Sequence, residues 1–266
     1  MKRIALHSAV LYLALLVPML ALCGPIHASG NVVTMASLEW PPYTGARLKG
    51  QGASVVVARM AFAAMGYELR VLFFPWKRAV TLARMDTTVA GYFPEYFNVN
   101  AADSFLFSNP IGTSPLGFAE RASAPVEWQT VHDLGGIPIG TVAGYANTDL
   151  FDTMAAQGKL AVEPVSDDAI NLEKLAKGRI RLAVMDCQVL RYMTMSRRKD
   201  SKENSIQCNA RLLGDRTLHL CFRKDEAGKR ILKIFNEGLR HIDVESLQEY
   251  SMRAIFNSLL QDKTRK

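Results

Sequence analysis

Short apolar runs alternate with helical segments along most of this chain, and this alternation constrains its fold more than any other feature. Residues 31–38, 68–74, 137–142 and 180–185 are short and rich in β-branched or apolar side chains, which is typical of strands. A further short strand is predicted to end at Ala90–Gly91. Segments with helical periodicity fill the intervals. Strands that alternate with helices predict an α/β fold with mostly parallel sheets.

Two helix N-termini are marked in the second half of the chain. Asn147 is predicted to cap the first, and Ser166 is predicted to cap the second. Asp167 and Asp168 would lie in the first turn of the second helix, where they complement the helix dipole, and Gly178 would end that helix.

The first 28 residues have the organisation of a secretory signal peptide. Two basic residues precede an apolar run from Ala9 to Cys23, which is too short to span a bilayer comfortably. The small residue Ala28 then offers a cleavage site. A lipoprotein signal with acylated Cys23 is the alternative. We therefore predict a soluble periplasmic protein whose mature chain begins near Ser29.

The composition excludes several classes of protein. Apolar residues make up 49% of the chain and charged residues 21%, which is ordinary for a globular protein. The net charge of +7 is mild, and the longest basic runs are Ser196–Lys199 and Lys263–Lys266. Nucleic-acid binding is therefore not expected.

The cysteines and histidines predict no metal or cofactor site. Cys187, Cys208 and Cys221 follow the signal peptide, so at least one thiol stays free. Cys187 and Cys208 are the more plausible disulfide pair, and buried thiols are the alternative. The histidines lack metal-ligand spacing, and no dinucleotide loop, phosphate loop or nucleophile elbow occurs.

A set of short motifs follows in a fixed order along the chain. In sequence order the motifs are Glu39–Tyr43, Pro75–Ala79, Gly91–Pro94, Phe107–Pro110, Asp133–Gly136, Ile139–Gly140, Gly144–Tyr145, Gly178–Asp186 and Leu218–Lys224. Their order and spacing resemble extracellular solute-binding protein family 3, the polar amino-acid binding proteins of bacterial ABC importers. The resemblance covers roughly residues 31 to 257.

The resemblance implies a fold with two α/β lobes, a central cleft and two hinge crossovers, of the type II periplasmic-binding-protein class. Residues 29–119 and 217–259 would form the first lobe, and residues 120–216 the second lobe with the hinge strands. Residues 260–266 would form a basic tail. The implied function is capture of a small polar solute, such as an amino acid, by a monomeric periplasmic protein that serves an ABC permease and is not an enzyme.

One charged position of the family is kept and another is lost. Asp186 matches the acidic residue that binds the ligand's ammonium group, and the alternative is that Asp186 only caps the helix beginning at Cys187. The position of the carboxylate-binding arginine reads Ala101, and no Arg or Lys occurs from Phe93 through Pro110. Either Arg78 replaces it, or the ligand is not a standard α-amino acid. The alternative for Arg78 is an exposed helix charge.

Aromatic side chains and one helix start complete the predicted site. Aromatic rings near the strand ends could stack on a planar or cationic ligand, or they could pack the core of the lobe. The segment Gly144–Asn147 would present backbone N–H groups to the ligand's carboxylate. The predicted ligand-binding residues are Glu39, Trp40, Tyr43, Trp76, Arg78, Tyr92, Gly144, Tyr145, Ala146, Asn147 and Asp186.

Two other functions stay open, because fold does not determine function. The first is an enzyme resembling cyclohexadienyl dehydratase, in which Glu39 or Asp186 would transfer protons. The second is an orphan sensing module that closes on its ligand and signals to a membrane partner.

Overall fold

The computed structural model describes residues 31–197 and 205–264, with side chains described up to residue 261. The predicted signal peptide, the acylation alternative at Cys23 and parts of both basic runs lie outside the described residues. Within these ranges the strands are β1 (Asn31–Ser37), β2 (Tyr67–Phe73), β3 (Gly91–Tyr96), β4 (Phe105–Phe107), β5 (Thr113–Arg121), β6 (Ile139–Val142), β7 (Val162–Val165), β8 (Leu182–Asp186), β9 (Ile206–Cys208) and β10 (Gly214–Arg223). The α-helices are α1 (Ala53–Ala64), α2 (Trp76–Met85), α3 (Val99–Ser104), α4 (Asp149–Ala156), α5 (Asp168–Ala176), α6 (Cys187–Ser196), α7 (Glu226–Leu239) and α8 (Val244–Thr264).

The strands follow the order β2-β1-β3-β10-β5-β8-β6-β7, with β4 beside β10 and β9 beside β5. Strand β1 pairs with β3 in parallel, and β6 pairs in parallel with both β7 and β8. The long strands β5 and β10 are antiparallel to each other and join these two parallel groups. The α/β class is therefore confirmed, and the antiparallel pairs are confined to the middle of the sheet.

This topology brings separate segments of the chain to one edge of the sheet. Trp40 follows β1, Trp76 begins α2, and Asp186 ends β8. Parallel α/β sheets place ligand sites at the carboxyl ends of their strands, because the loops and helix starts that follow the strands gather there.

Both predicted helix caps are wrong by one residue. Thr148 caps α4 through its side chain, which accepts a hydrogen bond from the Phe151 N–H, because the Asn147 side chain is engaged elsewhere. Asp167 caps α5 by accepting from the Ile170 N–H, while the Ser166 hydroxyl donates to Asp167.

Two further expectations need correction. The strand expected to end at Gly91 instead begins there, because β3 is held by parallel pairing with β1 and antiparallel pairing with β10. Residues 260–264 of the expected basic tail belong to α8. None of the described helices combines the length and apolarity needed to cross a bilayer. The predicted lobe boundaries stay a prediction.

The Cys187–Cys208 disulfide joins the start of α6 to β9. The two Cα atoms are 5.7 Å apart, which is an ordinary separation for bonded cysteines. Gly117 on β5 lies beneath the bond, and a Cβ atom there would approach the two sulfur atoms to 3.0 and 3.1 Å. Cys221 is a free, buried thiol.

Candidate ligand-binding cleft

A cleft lies at this edge of the sheet, and the cavity that it encloses has a volume of about 40 Å³. The first wall comes from the segments around β1, α2 and β3, the second from β6, β8 and the starts of α4 and α5, and the floor from β5 and β10. In the described chain the lining residues are Leu38, Trp40, Trp76, Pro94, Glu95, Tyr96, Leu116, Val142, Tyr145, Ala146, Asn147, Asp168, Val184, Met185, Asp186 and Leu218.

Asp186 is both a helix cap and a cleft residue, so the two sequence-based interpretations are compatible. One carboxylate oxygen, Oδ1, accepts from the Val189 N–H at 2.7 Å and caps α6. The other, Oδ2, accepts from the Tyr43 hydroxyl at 2.8 Å and from the Ser114 hydroxyl. Only 2% of Asp186 is exposed, so these donors replace the water it would otherwise bind.

Asp168 is a second buried carboxylate in the cleft. It is the first residue of α5, where its negative charge faces the positive end of the helix dipole. Trp40 lines the same cleft, and its indole opposes the rise in the pKa of Asp168. Burial, together with the nearby charges of Asp186 and Asp167, raises the pKa of Asp168 from 3.8 to about 7.

Glu95 is the third carboxylate of the lining. Its oxygens accept from the Tyr92 hydroxyl at 3.1 Å and from the Tyr96 N–H at 3.0 Å. Burial raises the pKa of Glu95 from 4.5 to about 7, and Tyr92, Tyr96 and Arg216 oppose the shift. Burial likewise raises the pKa of Asp186 to about 6, against the hydrogen bonds from Ser114, Val189 and Tyr43.

These raised pKa values predict how the stability of the ligand-free protein depends on pH. Between about pH 4 and pH 7 the folded state holds more protons on Glu95, Asp168 and Asp186 than the unfolded chain does. The free energy of unfolding should therefore fall as the pH rises through this window. Each pKa unit corresponds to about 1.4 kcal/mol. Denaturant titrations at pH 5, 6, 7 and 8 measure this dependence.

The Asp168→Asn variant isolates this contribution from other titrating groups. Buried His219 has a lowered pKa and gives the opposite slope, whereas exposed carboxylates such as Asp133 have lowered pKa values and titrate below this window. The stability of Asp168→Asn relative to the native protein should therefore increase between pH 5 and 8. A constant difference would contradict the raised pKa of Asp168.

One tryptophan, Trp76, spans the cleft from its first wall to its second. Its indole N–H donates to the Gly144 carbonyl at 3.1 Å. The Trp76 ring also meets the Tyr145 ring edge-on at 6.0 Å. Gly144 has φ +89°, a backbone conformation that favours glycine and that aims its carbonyl at Trp76. The walls are therefore in direct contact through Trp76.

The helix start expected to hold a ligand carboxylate is occupied by the protein itself. The Asn147 N–H donates to Asp152 Oδ2 at 2.8 Å, and the Asn147 side-chain amide donates to Asp152 Oδ1 at 2.7 Å. The Tyr145 N–H donates to the Val142 carbonyl. An internal carboxylate thus takes a place that was predicted for the ligand.

The structure brings six of the predicted residues to the cleft and leaves five outside its lining. Those that line it are Trp40, Trp76, Tyr145, Ala146, Asn147 and Asp186. Tyr43 and Tyr92 are buried behind the lining, where their hydroxyls hold Asp186 and Glu95, and Gly144 contributes its carbonyl to Trp76. Their roles in binding a ligand stay predictions.

Arg78 and Glu39 do not line the cleft, which corrects the expectation for both. Arg78 is exposed, and its guanidinium lies 4.8 Å from the centre of the Phe74 ring. Glu39 is also exposed, and its carboxylate accepts from the Ala46 N–H at 3.0 Å. Arg78 lies where the helix-charge alternative places it, and its replacement of the missing arginine stays a prediction.

Sequence reasoning missed Glu95 and Asp168. Glu95 immediately follows the Gly91–Pro94 motif, so proximity to that motif was an available signal. The position of Asp168 in the first turn of a helix is favourable by itself. That local explanation gives no sign that the side chain also lines the cleft.

No protein-family model matches the chain, and neither does any curated protein. Solved structures with the same fold do match. One is an amino acid ABC transporter substrate-binding protein, AbpA, from Streptococcus pneumoniae bound to L-arginine, with 13% identity, 86% of this chain and 96% of that chain covered, and a TM-score of 0.67. Another is holo ArgBP from T. maritima, with 16% identity, 80% and 90% coverage, and a TM-score of 0.64.

A histidine kinase sensor domain with similarity to periplasmic binding proteins also matches, with 18% identity, 85% and 96% coverage, and a TM-score of 0.68. At these identities the likeness concerns the fold. The two-lobe periplasmic-binding-protein fold is confirmed, and the resemblance to extracellular solute-binding protein family 3 is supported at the level of fold.

Proposed function

We propose that this protein captures a small polar solute in the cleft between two lobes and delivers it to an ABC-type permease. The observation that carries the proposal is the cleft itself: three buried carboxylates and several aromatic rings meet where the strands end. A groove between two walls can remove a small polar solute from water while fixed polar groups replace its hydration. The sequence signals for export support a periplasmic location.

The buried carboxylates explain why a ligand would bind here. Burial raises the pKa values of Glu95 and Asp168, because the surroundings of these groups stabilise negative charge poorly. A solute that supplies the missing counter-charge or hydrogen bonds would relieve that cost, and the binding energy would favour the closed arrangement of the two walls.

Solute binding is expected to stabilise the protein and to change its tryptophan fluorescence. A ligand at a hundredfold excess over its Kd should raise the free energy of unfolding by about 2.7 kcal/mol. Trp40 and Trp76 lie in the cleft, whereas Trp128 packs against Phe118 away from it. A thermal-shift screen of amino acids, amines, organic acids and sugars tests this, followed by fluorescence titration of each hit.

The tryptophan variants provide the control. The fluorescence response should persist in Trp128→Phe and disappear when Trp40 and Trp76 are both replaced by phenylalanine. Failure of every class of solute to stabilise the protein would refute the proposed function.

A sensing role and an enzymatic role are separated from transport by different measurements. The sensor-domain likeness favours the first of these alternatives. Uptake of the identified solute by cells that lack this protein should fall if it serves a permease and stay unchanged if it serves a sensor. The dehydratase alternative is disfavoured, because three carboxylates in the lining would repel an anionic substrate such as prephenate.

A further inference from the structure

The cleft has an unbalanced charge. Its described lining includes Glu95, Asp168 and Asp186 but no lysine, arginine or histidine. Two cations lie near the lining without belonging to it. The Lys77 side chain lies beside Gly144, and the Arg216 guanidinium lies 5.5 Å from the centre of the Tyr96 ring and donates to the Phe97 carbonyl at 2.7 Å. Arg216 lowers the pKa of Glu95, but both cations stay outside the lining.

The three carboxylates fall into two separate places. Asp168 and Asp186, which we call the acidic pair, lie at the starts of α5 and α6, and the charge of Asp186 raises the pKa of Asp168. Glu95 stands apart on β3, which β10 and β5 separate from β8 in the sheet. The ring of Tyr145 lines the same cleft.

Asp168 has unused capacity to bind a donor. A carboxylate can accept about four hydrogen bonds, and among the described residues the Trp40 indole is the donor that acts on Asp168, without reaching full hydrogen-bond geometry. Asp168 is only 8% exposed, so water from bulk solvent does not easily complete its partners. The acidic residues of the described chain do not converge as a metal site would require.

The aromatic walls favour a cation between these two places. Trp40, Trp76, Tyr96 and Tyr145 all line the cleft. The faces of these rings carry partial negative charge and attract ammonium and guanidinium groups. A carboxylate in the same cleft would find no cation in the lining, and the nearby helix start is already bonded to Asp152.

We propose that the solute is a small organic dication without a carboxylate, such as a diamine or an amino-guanidine. This inference rests on the proposed function and specifies its solute. One cationic group binds the acidic pair, the other binds Glu95, and the aromatic rings cover the chain that joins them.

Matched ligand pairs test the inference directly. Agmatine and L-arginine differ by one carboxylate, and so do cadaverine and L-lysine. In calorimetric titrations of the mature protein at pH 8, we expect the member without the carboxylate to bind at least tenfold more tightly in at least one pair.

Two cleft variants and one matched control locate the charges. Asp168→Asn and Glu95→Gln should each weaken binding of the preferred dication by tenfold or more. The control is Glu173→Gln on the same helix as Asp168, because Glu173 is exposed and paired with Lys177. Its affinity should stay within twofold of the native value, and circular dichroism at the titration temperature confirms that each variant is folded.

The outcomes separate this inference from the function on which it rests. Equal or tighter binding of the amino acid in both pairs would overturn the inference and leave solute capture intact, and so would cleft binding of only a neutral or anionic solute. Dication affinities that do not change in either cleft variant would also overturn it. Failure of all solute classes to bind would remove both proposals together.

Discussion

Replacement of Asp186 by alanine is expected to destabilise the protein by about 3 kcal/mol, because it leaves several buried donors without an acceptor. The donors are the hydroxyls of Tyr43 and Ser114 and the backbone N–H of Val189. For a chain of this size the melting temperature should fall by about 10 °C, given about 2–4 °C per kcal/mol. Differential scanning calorimetry of the ligand-free protein measures the change.

Two milder variants show which property of Asp186 matters. Asp186→Asn keeps an acceptor for the helix cap and removes a charge that burial disfavours, so we expect stability within about 1 kcal/mol of the native protein. Tyr43→Phe removes one hydrogen bond and should cost about 1 kcal/mol. Equal losses in the alanine and asparagine variants would show that charge, and not hydrogen bonding, makes Asp186 structurally important.

Loss of the Cys187–Cys208 disulfide is expected to lower the free energy of unfolding by a similar amount. The bond closes a loop across 21 residues, and restricting such a loop in the unfolded chain is worth about 3 kcal/mol. A variant with serine at both positions should therefore melt about 10 °C below the oxidised protein.

Reductant provides the internal control for this prediction. Dithiothreitol should lower the melting temperature of the native protein to that of the double serine variant and leave the variant itself unchanged. The free thiol of Cys221 is buried and is not expected to contribute. A double variant as stable as the oxidised protein would show that the bond adds little to the fold.

Local sequence patterns were sufficient for the α/β class and for most of the elements. Strands such as β8 are continuous apolar runs that end at a polar residue. Such a run can be recognised without knowledge of the distant residues that it contacts. Strand β3 was misplaced because Pro94 lies within Gly91–Tyr96, and proline is usually a poor strand residue. Strand β3 begins at Gly91 because it pairs with β1 and β10, and β10 lies far from it in sequence.

The site was less predictable than the fold, because its charges act across the cleft. Asp168 has a complete local explanation as a helix-start residue, yet its pKa is set by burial in the cleft and by the charge of Asp186, which is distant in sequence. Tyr43 and Tyr92 were expected to face the ligand, but their hydroxyls instead hold two of the carboxylates. Sequence spacing does not distinguish an aromatic ring that contacts a ligand from an aromatic ring that holds a ligand-binding carboxylate in place.

The contact between Asn147 and Asp152 has a consequence for selectivity. Because Asp152 is tethered five residues from the amide that it binds, its effective concentration there does not depend on the concentration of the protein or of any solute. A ligand carboxylate would have to displace a competitor that never diffuses away. The Asp152 carboxylate thus competes with acidic ligands for the N–H group at this helix start.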